Sequence, residues 1–278
     1  MIGYWIEAMR LRTLPVSVAG VVTALAYNLK FGNFNAVPWV ICLLFAVMAQ
    51  VASNFANEYF DYKEGRDKPG REGPRRGVTE GEISPGAMKR AVYITLGLAC
   101  CLGLSLVGWG GWWLLAVGAF VAVGVFAYSA GPFPLSTNGL GEVAVVFFFG
   151  IVPVNMTYYV ETLSWNWEVA LGSLAMGLMG ANVLIVNNYR DVEDDRAVGK
   201  RTLAVKWGRG TVRWLYLGNA AVAAGCLLPA SVWVAAVYLA AAAVIWRELG
   251  RREGRALTPL LGASAVAMLG VSGLLILN

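Results

Sequence analysis

The stretch Asn57-Glu58-Tyr59-Phe60-Asp61-Tyr62-Lys63-Glu64-Gly65-Arg66-Asp67 follows a long apolar run, and Asn187-Asn188-Tyr189-Arg190-Asp191-Val192-Glu193-Asp194-Asp195 follows another. Both open with Asn-x-x-x-Asp. Residues four apart on a helix share a face, so Asn57 and Asp61 point one way, as do Asn187, Asp191 and Asp195. Asp61 and Asp67 are six apart and cannot share a face of one regular helix. Gly65 between them is where the helix is expected to end and the chain to turn back. The pattern predicts two clusters of oxygen ligands, each at the mouth of a buried helix. Oxygen-only clusters with few carboxylates suit Mg²⁺, which is commonly held by such groups together with substrate phosphates.

Composition says where such mouths open. Hydrophobic residues make up 58% of the chain and charged residues 14%, against about half and a quarter in a soluble domain. An all-α, polytopic membrane protein is expected, one domain over residues 1–278. The start, Met1-Ile2-Gly3-Tyr4-Trp5-Ile6-Glu7, has no basic segment leading to a small-residue cleavage site, so no cleavable leader is expected. Cys42, Cys100, Cys101 and Cys226 all fall in apolar runs and form neither a disulfide framework nor a metal-ligand spacing. The absence of histidine excludes His-ligated zinc or haem and a Ser-His-Asp triad.

Working outward, residues 1–12 set Tyr4, Trp5, Ile6, Met9 and Leu11 against Glu7, Arg10 and Arg12, an amphipathic segment for the membrane surface. Apolar spans are expected at about 14–30, 37–56, 91–109, 112–128, 142–160, 167–189, 211–228, 231–246 and 257–277, nine in all and each roughly long enough to cross a bilayer. The polar stretch 57–90 is broken by Gly70, Gly73, Pro74, Gly77, Gly81, Pro85 and Gly86. Trp109, Trp112, Trp113, Tyr158, Tyr159, Trp165 and Trp167 form interfacial belts.

Charge tests the count. With nine spans and a cytoplasmic N-terminus, every one of the 22 Lys and Arg residues except Lys30 falls on the cytoplasmic side, as the positive-inside rule requires. A miscounted span would scatter them. The cavity mouth and both acidic clusters then face the cytoplasm, and the C-terminus lies outside. Charges beside spans usually set orientation only. That bland reading does not explain Asn-x-x-x-Asp twice on one side. Nor does it explain the run from Asp191 to Asp195, whose like charges repel unless a cation lies among them. Asn57 and Asn187 emerge from apolar runs, where polar residues are costly and functional by default. Arg66, Lys68, Lys200 and Arg201 are candidates to hold anionic diphosphate oxygens.

These residues resemble the UbiA superfamily of intramembrane prenyltransferases, over the whole chain. Four stretches carry the resemblance. They are Arg12-Thr13-Leu14-Pro15; Ser53 to Asn57 through Asp67-Lys68-Pro69 to Gly73-Pro74-Arg75-Arg76; Gly139-Leu140-Gly141-Glu142; and Asn187-Asn188 through Arg190-Asp191 and Asp195 to Gly199-Lys200-Arg201-Thr202-Leu203-Ala204-Val205. The wide Asp61-to-Asp67 spacing is similar to the branch acting on 1,4-dihydroxy-2-naphthoate in menaquinone synthesis. The 4-hydroxybenzoate branch carries a Lys-Arg pair after the position of Tyr128, where this chain has Ser129-Ala130. Glu58 stands where the family often has Asp, which makes it a doubtful ligand.

The resemblance implies transfer of a polyprenyl chain from polyprenyl diphosphate to 1,4-dihydroxy-2-naphthoate, with loss of CO₂ and diphosphate, in the inner (plasma) membrane. It implies Mg²⁺ as cofactor, held by Asn57, Asp61, Asp67, Asp191 and Asp195. Asn187, Asn188 and Arg190 join the four basic candidates as substrate-binding residues. Tyr128 is expected to face the allylic cation through its ring, unless it is an interfacial anchor. Arg12 is expected to grip the acceptor's carboxylate. Phe147, Phe148 and Phe149 would house the prenyl tail. Membrane lipid is an expected partner and nucleic acid is not. Two alternatives stay open: the same fold with homogentisate, 4-hydroxybenzoate or a glycerol phosphate as acceptor, and a secondary transporter. Transporter sites usually sit near the bilayer midplane, whereas here the ionisable residues gather at one mouth.

Overall fold

The computed structural model describes residues 2–278; Met1, first residue of the expected surface segment, lies outside the described residues. Among the described residues all regular structure is helical: α1 Ile2–Met9, α2 Leu14–Lys30, α3 Ala36–Lys63, α4 Pro85–Ser105, α5 Val107–Gly110, α6 Leu114–Ala127, α7 Gly141–Val145, α8 Val152–Thr162, α9 Trp167–Arg190, α10 Val192–Ala197, α11 Leu203–Leu227, α12 Val232–Leu249 and α13 Thr258–Ile276. Their starts follow local chemistry. The side chains of Asn35 and Asn166 accept from the backbone N–H groups of Val37 and Glu168, and Ser84 from that of Ala87. Proline occupies the first turn of α2, α4, α8 and α13, where its missing N–H is not needed.

Seven segments are long and apolar enough to cross a membrane: Ile2–Lys30, Ala36–Lys63, Pro85–Gly110, Gly141–Thr162, Trp167–Arg190, Val232–Leu249 and Gly254–Ile276. Two further expected spans differ from these. Leu114–Ala127 is apolar but only 14 residues long. α11 is 25 residues long but carries Lys206, Arg209 and Arg213 in its first half and a kink at Gly208, φ 79°. Several bounds also move. α3 runs to Lys63 rather than ending near 56, so Asn57 and Asp61 lie on the helix itself. α4 begins at Pro85, before the expected 91, because Ser84 and Pro85 start it. The fifth expected span is not uniform: a π-helical stretch, Val146–Ile151, separates α7 from α8.

Three apolar clusters build the bundle. The largest joins α2, α8, α9, α11, α12 and α13; the second joins α1, α3, α4 and α6. The third, Val21, Cys42, Leu106, Leu114 and Val160, joins α2, α3, α6 and α8. Lipid tails are as apolar as leucine, so close backbone approach carries more of the packing here than in water. The clearest case is Gly150 of the π stretch on α9. A Cβ there would lie 2.3 Å from Gly177 Cα and 2.4 Å from Ser173 O.

The two ends of the bundle differ in chemistry. At one end the loop after α3 meets the loop after α9: Arg71 reaches Asp191, the Glu72 N–H donates to Asp194, and Glu72 faces Arg255. At the other end Lys30, the one basic residue expected on that face, pairs with Glu168, and the Asn35 N–H donates to Glu161. α1 packs near the first end through Trp5 on Phe55, while Asn278 bonds Ser231 at the second. The described chain therefore starts and finishes at opposite ends.

Candidate active site

Two matching turns build the polar mouth. α3 ends in a Schellman motif: Gly65, φ 66°, donates to Tyr62 O and Arg66 N–H donates to Asp61 O at 2.7 Å. This is the break expected at Gly65, and it swings Asp67 back toward the helix end. α10 ends the same way: Gly199, φ 75°, donates to Arg196 O and Lys200 N–H to Asp195 O at 2.9 Å. The second turn delivers Lys200 to the first cluster, where its Nζ donates to Asp61 Oδ2 at 2.8 Å. The Asn-x-x-x-Asp pairs meet as helical spacing predicts: Asn57 Nδ2 donates to Asp61 Oδ2 at 3.2 Å, and Asn187 Nδ2 lies 3.5 Å from Asp191 Oδ2. Asp195, expected on the same helix face, instead lies on α10, because α9 stops at Arg190 and Asp191 caps it.

Arg71 joins the two motifs. Its guanidinium donates to Asp67 Oδ1 at 2.7 Å and to Asp191 Oδ2 at 2.9 Å. Arg190 forks onto the same Asp191, with Nε to Oδ1 at 2.6 Å and a terminal nitrogen to Oδ2 at 3.0 Å. Arg76 Nε stands 3.2 Å from Asp67 Oδ2 and its terminal nitrogen donates to Asn57 Oδ1. Buried carboxylates are strongly destabilising unless paired, and these cations supply the pairing. Burial still pushes the Asp67 carboxyl above its usual range, with Arg71 pulling it back. Burial lifts Asp195 to about 6, against the pull of Lys200. Arg71 is held above its ordinary value: burial lowers it, but Asp67 and Asp191 outweigh that.

The donor set fits a hard cation. Asp61 Oδ1 is buried with no hydrogen-bond partner, and Asp195 has no ion pair within 4.0 Å among the described residues. Both leave carboxylate oxygens free beside those of Asp67 and Asp191. Among the described residues no three acidic side chains converge as a metal cage; Arg71 pairs with Asp67 and Asp191, and Lys200 with Asp61.

The remaining expected residues separate into inner and outer groups. Asn188 and Tyr128 line the main cavity. Arg66 points back to Ser129 O at 3.5 Å, and Lys68 donates to Ala197 O; both line a smaller pocket of about 150 Å³ between the motifs, with Asp67, Arg71, Asp195 and Lys200. Arg201 is exposed and lines neither cavity; only its backbone is engaged, donating to Thr137 O. Arg12 is exposed at the cavity rim. Its neighbour Arg10, in the left-handed region at φ 55°, turns inward to donate to Asn57 Oδ1. Glu58 is 1% exposed and accepts from the Val78 N–H, so it anchors the loop rather than facing the carboxylates.

Sequence reasoning passed over Arg10, Arg71, Arg76, Ser129 and Glu142 as site residues. Ser129 Oγ accepts from Asn57 Nδ2 at 3.1 Å, and Glu142 accepts from Asn188 Nδ2 at 2.9 Å. A signal existed for two of them. Arg76 closes the quoted Gly73-Pro74-Arg75-Arg76 stretch, and Glu142 is a carboxylate beside an apolar run.

Below the mouth lies a cavity of about 590 Å³. Its upper wall holds Asn57, Arg71, Asn187, Asp191 and Lys200, and its lower wall Val21, Phe45, Leu106, Val117, Met156 and Val160. Of the three consecutive phenylalanines, Phe148 and Phe149 line it while Phe147 is 43% exposed on the outside. Phe148 stacks on Phe120 at 5.0 Å and lies where a Cβ on Gly124 would be. A π-helical turn at such a wall is a common functional device.

A helical membrane-type protein with paired acidic motifs over a long apolar cavity is the class that fold and site define. The chain belongs to the UbiA prenyltransferase family, whose model matches residues 13–257. It is 36% identical to a 1,4-dihydroxy-2-naphthoate octaprenyltransferase of Mycobacterium tuberculosis over 275 residues, 95% of this chain and 92% of the relative. It is equally 36% identical to the Haemophilus influenzae protein of that name over 236 residues, 82% of this chain and 77% of the relative. In fold it is similar to a UbiA homologue from Archaeoglobus fulgidus solved with DMAPP and Mg²⁺, at TM-score 0.67 and 16% identity, covering 96% of this chain and 98% of the other.

Proposed function

We propose that this protein is a Mg²⁺-dependent 1,4-dihydroxy-2-naphthoate polyprenyltransferase that forms demethylmenaquinol in menaquinone synthesis. The observation that carries this is the junction itself: a cation- and anion-binding mouth opening onto an apolar cavity, in a chain 36% identical to proteins named for that reaction. The mouth suits a diphosphate and the cavity suits its isoprenoid tail.

Asp61, Asp67, Asp191 and Asp195 would hold the ion, joined by Asn57 once Arg10 and Arg76 leave its Oδ1; the ion's charge would offset that of the diphosphate and improve it as a leaving group. Arg71, Arg76 and Lys200 now neutralise those carboxylates. With the ion in place they are free to donate to diphosphate oxygens, helped from the smaller pocket by Arg66 and Lys68. The C–O bond to diphosphate breaks with its electron pair going to oxygen, and positive charge develops on the prenyl C1. Tyr128 and Phe148 present aromatic faces to that carbon. The apolar wall keeps water from it. The electron-rich naphthoate ring forms the new C–C bond. Its carboxylate then leaves as CO₂, and the electrons of that bond restore the ring. Arg10, drawn to Asn57, is better placed than exposed Arg12 to hold the acceptor's carboxylate before it leaves.

The same reading makes all 278 residues one domain with nine crossings, counting α6 and α11 with the seven longer segments. The odd number agrees with the ends of the chain lying at opposite ends of the bundle. The mouth is cytoplasmic because the basic residues gather there. The test of function is purified enzyme with Mg²⁺, a polyprenyl diphosphate and a panel of dihydroxynaphthoate, homogentisate, 4-hydroxybenzoate and glycerol phosphate acceptors, with products read by mass spectrometry. A prenylated, decarboxylated product from dihydroxynaphthoate alone is expected; preferential turnover of another acceptor overturns the assignment.

A further inference from the structure

Asn188 lies one residue beyond Asn187 and so faces about 100° round the helix from it. It lines the cavity beside the carboxylates rather than joining them, and it is 7% exposed. Its Nδ2 donates to Glu142 Oε1 at 2.9 Å. Glu142 is 6% exposed and stands on α7, behind the cavity wall; it is not itself a lining residue. The contact turns the nitrogen of the Asn188 amide toward Glu142 and its carbonyl oxygen away from it. No donor within the described residues takes that oxygen, yet it is not sealed off from the cavity. The Tyr128 hydroxyl likewise has no internal partner and is not sealed off; it lies 3.7 Å from where a Cβ on Gly141, the residue before Glu142, would be.

We propose, on the naphthoate-prenylating function above, that Glu142 is a positioning residue. It locks the Asn188 amide so that Oδ1 accepts a hydrogen bond from a ring hydroxyl of the acceptor. This selects hydroxyl-bearing aromatic rings. It also assists the reaction, because accepting a hydrogen bond from the O–H leaves more electron density on the ring that attacks. An acceptor whose hydroxyl is masked leaves a buried amide oxygen unpaired, which is how polar sites reject isosteres strongly.

The test compares 1,4-dihydroxy-2-naphthoate with its mono-O-methyl ethers in the wild type, Glu142→Ala, Glu142→Gln, Asn188→Ala and the Glu142→Ala/Asn188→Ala double variant. The wild type is expected to favour the free hydroxyl at one ring position by roughly a hundredfold or more in kcat/KM. In Glu142→Ala and Asn188→Ala that preference should shrink to within about tenfold, the KM for prenyl diphosphate should stay within about twofold, and the double variant should be no worse than Asn188→Ala. Glu142→Gln keeps the volume, covers the case where alanine impairs folding, and should lose preference because its amide accepts either orientation of Asn188. A variant that loses rate but keeps the full preference marks Glu142 as merely structural and overturns the proposal, as do additive losses in the double variant. Failure of the functional assignment looks different: the wild type would then turn over no naphthoate at all.

Discussion

Asp61 and Asp191 are each held by a protein cation, Lys200 at 2.8 Å and Arg71 at 2.9 Å. An amide in place of either carboxylate keeps the volume and removes the charge that both the cation and a divalent ion need. Asp61→Asn and Asp191→Asn are each expected to lower kcat by more than roughly a hundredfold, equivalent to about 2.7 kcal/mol, while the protein still purifies as a folded species in detergent. Near-normal turnover at low Mg²⁺ in either variant would make that carboxylate topological. Arg10 and Arg12 separate at the same scale. Lysine cannot reproduce a guanidinium fork, and losing one charge-assisted hydrogen bond costs about 1.5–3 kcal/mol. Arg10→Lys is expected to lower kcat/KM for the aromatic acid roughly ten- to a hundredfold, and Arg12→Lys to change it little. Steady-state kinetics with both substrates varied would reverse the assignment if Arg12→Lys is the impaired variant.

At the scale of elements, the site depends on how two helices stop. Gly65 and Gly199 both adopt positive φ, where a Cβ costs about 1–2 kcal/mol. At both positions a Cβ would point into open space, with no atom within 4 Å, so alanine there tests backbone strain without a clash. Gly65→Ala is expected to lower stability by that amount and to lower activity more than the stability loss explains, because it re-aims Asp67. Thermal unfolding in detergent beside kcat measures both; a stability loss with full activity would show that Asp67 does not need the turn. Gly150 fails differently. Its partner is the backbone of α9 at 2.3 Å, which cannot move aside as a flexible side chain would. Gly150→Ala should cost about 1–3 kcal/mol or more and part the π stretch from α9.

For the whole molecule, the prediction is sidedness. Single cysteines in a cysteine-free background at Arg75, Arg201 and Leu163 are all at exposed positions. Arg75 and Arg201 should label from the cytoplasmic face and Leu163 from the other. Labelling of all three from one side would break the nine-crossing topology. Activity should also vanish in excess EDTA and return with Mg²⁺; full turnover without a divalent ion would remove the ion from the mechanism.

Helical class, seven of the nine expected apolar segments and the end at which charge collects were legible, because each is a property of runs and periods along one chain. Asn57 with Asp61 and Asn187 with Asp191 followed from helical spacing, and the turn at Gly65 from the one residue suited to positive φ. What spacing cannot carry is contact between loops far apart in sequence. The Arg71 bridge from Asp67 to Asp191 spans 120 positions and the Lys200 contact with Asp61 spans 139. Neither pairing exists until α3 and α9 bring their ends together. That Arg10 and not Arg12 reaches Asn57 was decided the same way. Both are basic residues of one short segment, and only a left-handed backbone at Arg10, held by packing of α1 on α3, turns one inward and leaves the other at the rim. The π-helical break at 146–151 likewise has no sequence period of its own; it arises where Gly150 seats against the backbone of α9, a fit that only the packed bundle defines.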